Sequence, residues 1–288
     1  MQGLTGLKAT ALICGLMVAA LFVVAENKGA NTASFQSEAQ NLIKNLLGDD
    51  VKTSNEAFVL LKNKGITVEP ILAKTMSETE DPDKQQKIKN ILDYLGYISD
   101  KELNQLKLEI FNVINQSKTP EDATMLIKRI LNTFHDNHHP FATRTYRSQD
   151  GKVLIVIGRN GETGENGQDA QAIDMKSQLV IALGGMGGVR ISNESGRSGR
   201  ADAYTEQGIA IALGGRGGNG ATDGSGALMG GAGGGQGNAE SPIASFSFGG
   251  EGGKGASSGG VVAGNGGKGG GKGVQGWENV NDWLKKIK

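Results

Sequence analysis

The segment "EQGIAIALGGRGG", residues 206–218, joins an alternating apolar run directly to paired glycines. Two other segments repeat this design: "SQLVIALGGMGG" at 177–188 and "SPIASFSFGGEGG" at 241–253. Each has a turn or polar lead, an apolar strand-like stretch and a GG-x-GG ending. The units begin roughly 30 and 35 residues apart, a spacing typical of repeat architectures. The sequence therefore predicts a glycine-rich repeat domain.

Glycine recurs at every third position within and around these units, which is the period of the polyproline II helix. Such a strand leaves one edge bare, so another backbone can approach it closely. We expect residues 151–276 to fold as packed polyproline II and short β segments. A disordered linker is the alternative, whereas the five prolines argue against collagen. The glycines assigned to the bare edge are Gly158, Gly161, Gly164, Gly167, Gly184, Gly187, Gly214, Gly217, Gly249, Gly252, Gly264, Gly267, Gly270 and Gly273.

Composition limits the classes of partner. The 288 residues carry 30 Lys and Arg against 30 Asp and Glu, so the net charge is zero and nucleic acid is not expected as a partner. The single cysteine, Cys14, lies in an apolar N-terminal run, so neither a disulfide nor a cysteine-ligated metal is expected.

The apolar run at residues 9–25 predicts either a cleaved signal peptide or a membrane anchor within residues 1–25. Residues 26–35 read as a linker. Both alternatives place the rest of the chain outside the cytoplasm, and an uncleaved run would attach it to the inner membrane.

Residues 36–137 have apolar positions at helical spacing and clear helix boundary signals. Asp81 precedes Pro82, Thr119 precedes Pro120, and Ser99 with Glu102 forms a capping box. These signals predict a small all-α domain, followed by a linker at 138–150.

Two resemblances extend this interpretation. The pieces "LIKNLLGDD", "AFVLLKNKG", "VEPILAKTM" and "DPDKQQKIKNILDYL", between residues 42 and 95, resemble a HEAT-type repeat, which implies stacked helix pairs that act as a scaffold. The glycine region is similar to the glycine-rich sandwich domains of T-even phage adhesins and to glycine-rich antifreeze proteins. That similarity implies a thin slab whose exposed residues meet a target.

Few motifs suggest chemistry. His135, His138 and His139 in "HDNHHP" are weak metal candidates, and a polar helix end is the alternative. "GRGGNG" at 215–220 fits G-x-G-x-x-G, but no helix-forming sequence follows it, so no nucleotide site is expected. Residues 277–288 predict an amphipathic helix in which Trp277 and Trp283 either dock on the chain or contact a partner.

We therefore expect a multi-domain protein with an N-terminal signal or membrane helix, a small HEAT-like bundle and a glycine-rich repeat domain. The expected function is that of an exported, non-catalytic structural or protein-interaction protein of the bacterial envelope, without a cofactor. Its partner would be another envelope protein or a surface. An adhesin-like glycan binder is the first alternative, and a cryptic metal-dependent enzyme is the second.

Overall fold

The computed structural model describes residues 35–287, apart from 139, 141, 193–194, 223–226 and 259–260. The chain forms two compact units, the first ending at Leu95 and the second beginning at Gly96. None of the helices in the described part of the chain is long and apolar enough to cross a membrane. The signal or anchor segment predicted at residues 1–25 lies outside the described residues.

The described part of the first unit is helical. Its helices are α1 at 35–46, α2 at Val51–Lys64, α3 at Glu69–Glu78 and α4 at Pro82–Leu95, with a 3₁₀ turn at Gly65–Val68. The Asp81 cap is confirmed, because its Oδ1 accepts a hydrogen bond from Asp83 N at 3.0 Å. Each helix buries at least one apolar side chain, and α4 buries four, Ile88, Ile91, Leu92 and Leu95. The HEAT-type pairing of these helices stays a prediction.

The second unit begins with two helices, α5 at Asp100–Gln116 and α6 at Pro120–Asn137. The predicted caps are confirmed: Ser99 and Glu102 make the capping box of α5, and Thr119 caps α6. The strands that follow are β1 Arg144–Arg147, β2 Val153–Ile157, β3 Ala170–Ile173, β4 Leu179–Leu183, β5 Ala201–Tyr204, β6 Ile209–Leu213, β7 Gly237–Glu240, β8 Ala244–Phe248, β9 Ser257–Ser258, β10 Val261–Val262 and β11 Gly273–Gln275, and helix α7 spans Trp277–Lys286.

These strands form two stacked sheets and a small hairpin. The larger sheet has six strands in the order β1-β2-β4-β6-β8-β11, in which the four central strands are parallel and both edge strands are antiparallel. The smaller sheet is parallel, in the order β3-β5-β7. Strands β9 and β10 pair as the hairpin. From β2 to β8, successive strands along the chain therefore alternate between the two sheets.

The two faces of the six-stranded sheet differ in side-chain size, because larger and smaller residues alternate along its central strands. Side chains alternate across a strand, and the four parallel strands pair in register. One row, facing the helices, is Ile155, Ile181, Ile211 and Phe246; the next, facing the three-stranded sheet, is Val156, Ala182, Ala212 and Ser247. Small side chains on the second face let the smaller sheet pack closely.

Helices α5, α6 and α7 cover the other face of the six-stranded sheet. Buried side chains from all three helices join the large-residue row in one apolar core, among them Ile110 and Ile114 of α5, Ile127 and Leu131 of α6, and Leu284 of α7. A sheet that is apolar on both faces needs a cover on each side, and these helices provide one.

The predicted fold class is wrong. The apolar segments form a mixed six-stranded sheet instead of the short β segments predicted within a packed polyproline II domain. Helices α5 and α6 pack on that sheet instead of completing a separate all-α domain. The structure is α/β, and its described part contains no membrane-spanning helix. The linker predicted at 138–150 lies inside the second unit, around β1. The physical reason is that β2, β4, β6 and β8 are buried on both faces, so the face that the three-stranded sheet leaves open must be covered by helices.

Beyond the strand ends, the glycine segments continue both sheets. We name residues 158–164, 184–190, 214–220 and 249–256 the helix-side glycine layer, since they follow β2, β4, β6 and β8. Residues 165–169, 196–200, 230–236 and 263–271 form the outer glycine layer. A coil consists of one strand of the six-stranded sheet, the two glycine segments that follow it, and the strand after them. The first coil runs from β2 to β3, the second from β4 to β5, the third from β6 to β7, and the fourth from β8 to β11. Hydrogen bonds link neighbouring coils at every third residue, as from Gly158 N to Leu183 O at 2.8 Å and from Gly161 N to Met186 O at 2.7 Å.

A glycine segment that has a neighbouring coil on each side needs glycine at two of every three positions. A Cβ at Gly184 would lie closer than 3.0 Å to Gly199 O in the outer layer, and one at Gly185 would meet Arg159 O in the preceding coil. Only the third position, occupied by Met186, points outward. This packing explains the GG-x pattern, which the sequence analysis reduced to one glycine in three. Backbone is also closer than 3.0 Å to a Cβ at Gly158, Gly161, Gly167, Gly187, Gly214, Gly217, Gly249 and Gly252.

The last glycine segment has a different phase from the one predicted. A Cβ at Gly264, Gly267, Gly270 or Gly273 would have no heavy atom within 4 Å, so these glycines do not face a neighbouring backbone. The close approaches occur at Gly266 and Gly269, which face Ala232 O and Gly235 O. Gly164 and Gly273 instead have positive φ angles, of 82° and 75°, which favour glycine for backbone reasons.

Candidate functional site

A groove lies between α5 and α6 of the second unit. It has a volume of about 560 Å³, within the usual range of ligand sites. Its floor is apolar, made of Leu106 and Val113 on α5 and Leu126, Ile130 and Phe134 on α6.

Helical spacing positions these side chains. Leu126, Ile130 and Phe134 recur every four residues on α6, beside the core stripe of Ala123, Ile127 and Leu131. Helix α6 therefore has two adjacent apolar stripes, one against the sheet and one in the groove. No groove is predicted from the sequence, because helical spacing alone does not show which of two adjacent apolar stripes the sheet covers.

The rim of the groove is polar and differs between the two helices. Helix α5 contributes the acidic residues Glu102 and Glu109, while α6 contributes Arg129 on the opposite side. The remaining rim residues are Gln105, Thr133, Asn137 and His138. An apolar floor between an acidic and a basic rim suits an amphipathic segment better than a small charged molecule.

His138 closes one end of the groove. Its Nδ1 lies 2.8 Å from Phe134 O, and since a carbonyl only accepts, Nδ1 carries the hydrogen. Nε2 then faces Glu102 Oε1 at 4.0 Å. The imidazole also packs on the Phe134 ring with 4.3 Å between centroids. Glu102 Oε2 in turn accepts from Ser99 N at 2.8 Å, so the capping box holds the carboxylate in place.

The histidines predicted as weak metal ligands have separate surroundings. His135 is buried, His138 lies at the groove rim, and His139 lies outside the described residues. Over the described ranges, no group of three His, Cys, Asp or Glu side chains is placed to hold a metal ion. A helix end with polar side chains accounts for the described part of "HDNHHP".

The tryptophans suggested for partner contact both pack within the second unit. Trp277 meets Phe246 edge-on at 6.5 Å between centroids, and Trp283 meets Phe111 edge-on at 5.7 Å. Both are partly buried against the sheet's helix-side core. Trp277 therefore packs α7 against β8 of the sheet, and Trp283 packs it against α5.

The exposed face of the three-stranded sheet is a second polar surface. Gln171, Asp202 and Asn238 lie side by side across its strands, as do Ile173, Tyr204 and Glu240. Arg200 Nε lies 3.0 Å from Asp202 Oδ1 and Asn238 Nδ2 3.1 Å from the same oxygen, so this row is tied together. Burial raises the pKa of Tyr204, and the charges of Glu206 and Glu240 raise it further. Tyr204 is the aromatic side chain on this face that the glycan-binding alternative would require.

No family model, curated protein or solved structure matches the chain. The geometry of these surfaces is therefore the basis for assigning a function.

Proposed function

We propose that this protein is a non-catalytic protein-interaction protein that binds an amphipathic helix of a partner in the α5–α6 groove. The observation that carries the proposal is the second apolar stripe of α6, Leu126, Ile130 and Phe134, which lines an open groove. Docking of an amphipathic helix into such a groove is a recurring mode of peptide recognition.

The rim charges define the partner more closely. Glu102 and Glu109 favour basic side chains on one flank of the incoming apolar stripe, and Arg129 favours acidic ones on the other. Leu126 is 39% exposed before any partner is bound, so a docked helix would remove apolar surface from water. That the partner belongs to the envelope stays a prediction from residues 9–25.

Photo-crosslinking identifies the partner and tests the site. A photoreactive residue at Leu126 should capture a partner segment with an apolar helical stripe, whereas the same residue at Met125 should not. Met125 is the matched control, since it is the adjacent residue of α6, is 66% exposed and lies outside the groove lining.

A peptide covering the captured segment then allows a quantitative measurement. Leu126→Glu should weaken its binding about thirtyfold, because a buried interface anchor is worth roughly 2 kcal/mol. Met125→Glu should change the Kd less than about twofold, as expected for a residue outside the contact. Equal loss in both variants, or crosslinking from Met125 alone, would contradict the proposed groove.

A further inference from the structure

The fourth coil ends the glycine layers with an open edge. In the helix-side layer, each coil donates backbone N–H groups to the next at three-residue intervals, as from Gly187 N to Arg216 O at 2.8 Å and from Gly217 N to Glu251 O at 2.8 Å. In the outer layer the same direction holds, from Gly234 N to Gly267 O at 2.9 Å. Among the described residues, no further coil follows the fourth to accept its hydrogen bonds.

The donors at that edge are specific. By the register of the preceding coils, they are Gly252 N in the helix-side layer and Asn265 N and Lys268 N in the outer layer. In the described parts of the chain, none of these three N–H groups has a hydrogen-bond acceptor. Gly255 lies three residues after Gly252 in the helix-side layer, and its N–H donates a hydrogen bond to Asn265 Oδ1 at 2.9 Å. Unpaired donors in a row are the feature by which sheet edges recruit an added strand.

The steric rule of the layers defines what can be added. Each coil after the first turns one Cβ position in three toward carbonyls of the coil before it, and glycine occupies it, as at Gly215 and Gly218. An added segment packing in the same manner must therefore carry glycine at every third position. The outward glycines Gly264, Gly267 and Gly270 leave the last segment without side chains on that face.

A second copy of this chain does not meet the rule. Its first coil carries Arg159 and Glu162 where later coils carry Gly185 and Gly188, as the contacts of those two glycines with Arg159 O and Glu162 O show. Placed against the fourth coil of another copy, both side chains would meet a carbonyl closer than 3.0 Å. Charged residues at a first edge also block end-to-end association.

We propose that the open edge of the outer layer, at Asn265 and Lys268, binds an extended segment of a different polypeptide that carries glycine at every third position. The bound segment accepts the N–H groups of Asn265 and Lys268 through its carbonyls and continues the outer layer by one strand. This interaction is separate from the α5–α6 groove.

The test uses the full chain and two synthetic peptides, six repeats of Gly-Lys-Asn and six repeats of Ala-Lys-Asn. Only the glycine peptide should bind, and its binding should slow hydrogen exchange at the amides of Asn265 and Lys268. Equal binding of both peptides would overturn the proposal, as would no binding of the glycine peptide at millimolar concentration.

Two variants of Lys268 separate the backbone from the side chain. Lys268→Pro removes the N–H while its fixed φ suits a polyproline II strand, so binding of the glycine peptide should weaken at least tenfold. Lys268→Ala keeps the N–H and should bind within about twofold of the parent, since an exposed side chain makes no contact required here. Equal affinities of the proline variant and the parent would overturn the role of this donor, and the exchange measurement on the parent does not depend on how the proline variant folds.

Discussion

At the scale of the residue, glycine occupies three different kinds of position. At Gly184 and Gly185 a neighbouring backbone leaves no room for a Cβ. At Gly164 and Gly273 the positive φ favours glycine. At Gly264, Gly267 and Gly270 neither reason applies among the residues that the structure describes. The three-residue period alone does not distinguish these cases, because all of them keep the same spacing.

Adjacent glycines of the last segment should therefore respond in opposite ways to alanine. Gly266→Ala places a Cβ against Ala232 O and should destabilise the second unit by about 1–3 kcal/mol, as overpacking does. Gly267→Ala meets no atom within 4 Å and should be neutral or stabilising by about 0.4–1 kcal/mol through the unfolded chain. Urea unfolding measures both. Equal destabilisation would mean that the outward face of this segment is packed.

At the scale of the element, the strands of the smaller sheet separate a packed face from an exposed one. Ala172 of β3 is fully buried against the six-stranded sheet, while Gln171 beside it is exposed. Small side chains on the inner face set how closely the sheets approach. A larger side chain there must push the two sheets apart.

Leucine substitutions in β3 test this close approach. Ala172→Leu should lower the free energy of unfolding by about 1–3 kcal/mol, because the added methyl groups have no space between the sheets. Gln171→Leu, on the exposed face, should change it by less than about 0.5 kcal/mol. The midpoints of thermal or urea unfolding provide the comparison, and a tolerated leucine at Ala172 would show that the interface is loose.

At the scale of the whole molecule, the second unit carries a core of its own built from α5, α6, α7 and the sheet. Burial of one Ile or Leu side chain contributes about 1.5–3 kcal/mol. Uncovering several of them would exceed the net stability of a domain, about 5–15 kcal/mol. The sheet therefore depends on helices that lie before it in the chain.

Two fragments should behave differently for this reason. Residues 96–288 keep α5 and α6 and should unfold in one cooperative transition. Residues 151–288 lose both helices together with β1, expose Ile155, Ile181 and Ile211, and should bind a hydrophobic dye without a cooperative transition. Cooperative unfolding of the shorter fragment would show that the glycine-rich region folds by itself, as the sequence analysis expected.

The sequence by itself determined the helix boundaries, the strand-like segments and the coil repeat. Capping residues such as Ser99 and Thr119, and the alternation in "IAIAL", act through local hydrogen bonds and side-chain direction, so they can be read from neighbours in the chain. The unit boundary at Leu95, the α5–α6 groove and the phase of the last glycines depended on the tertiary structure. Contacts between residues far apart in sequence decide which apolar stripe packs on the sheet and which glycine lies against a carbonyl. A periodic pattern in the sequence does not show which distant residues will make those contacts.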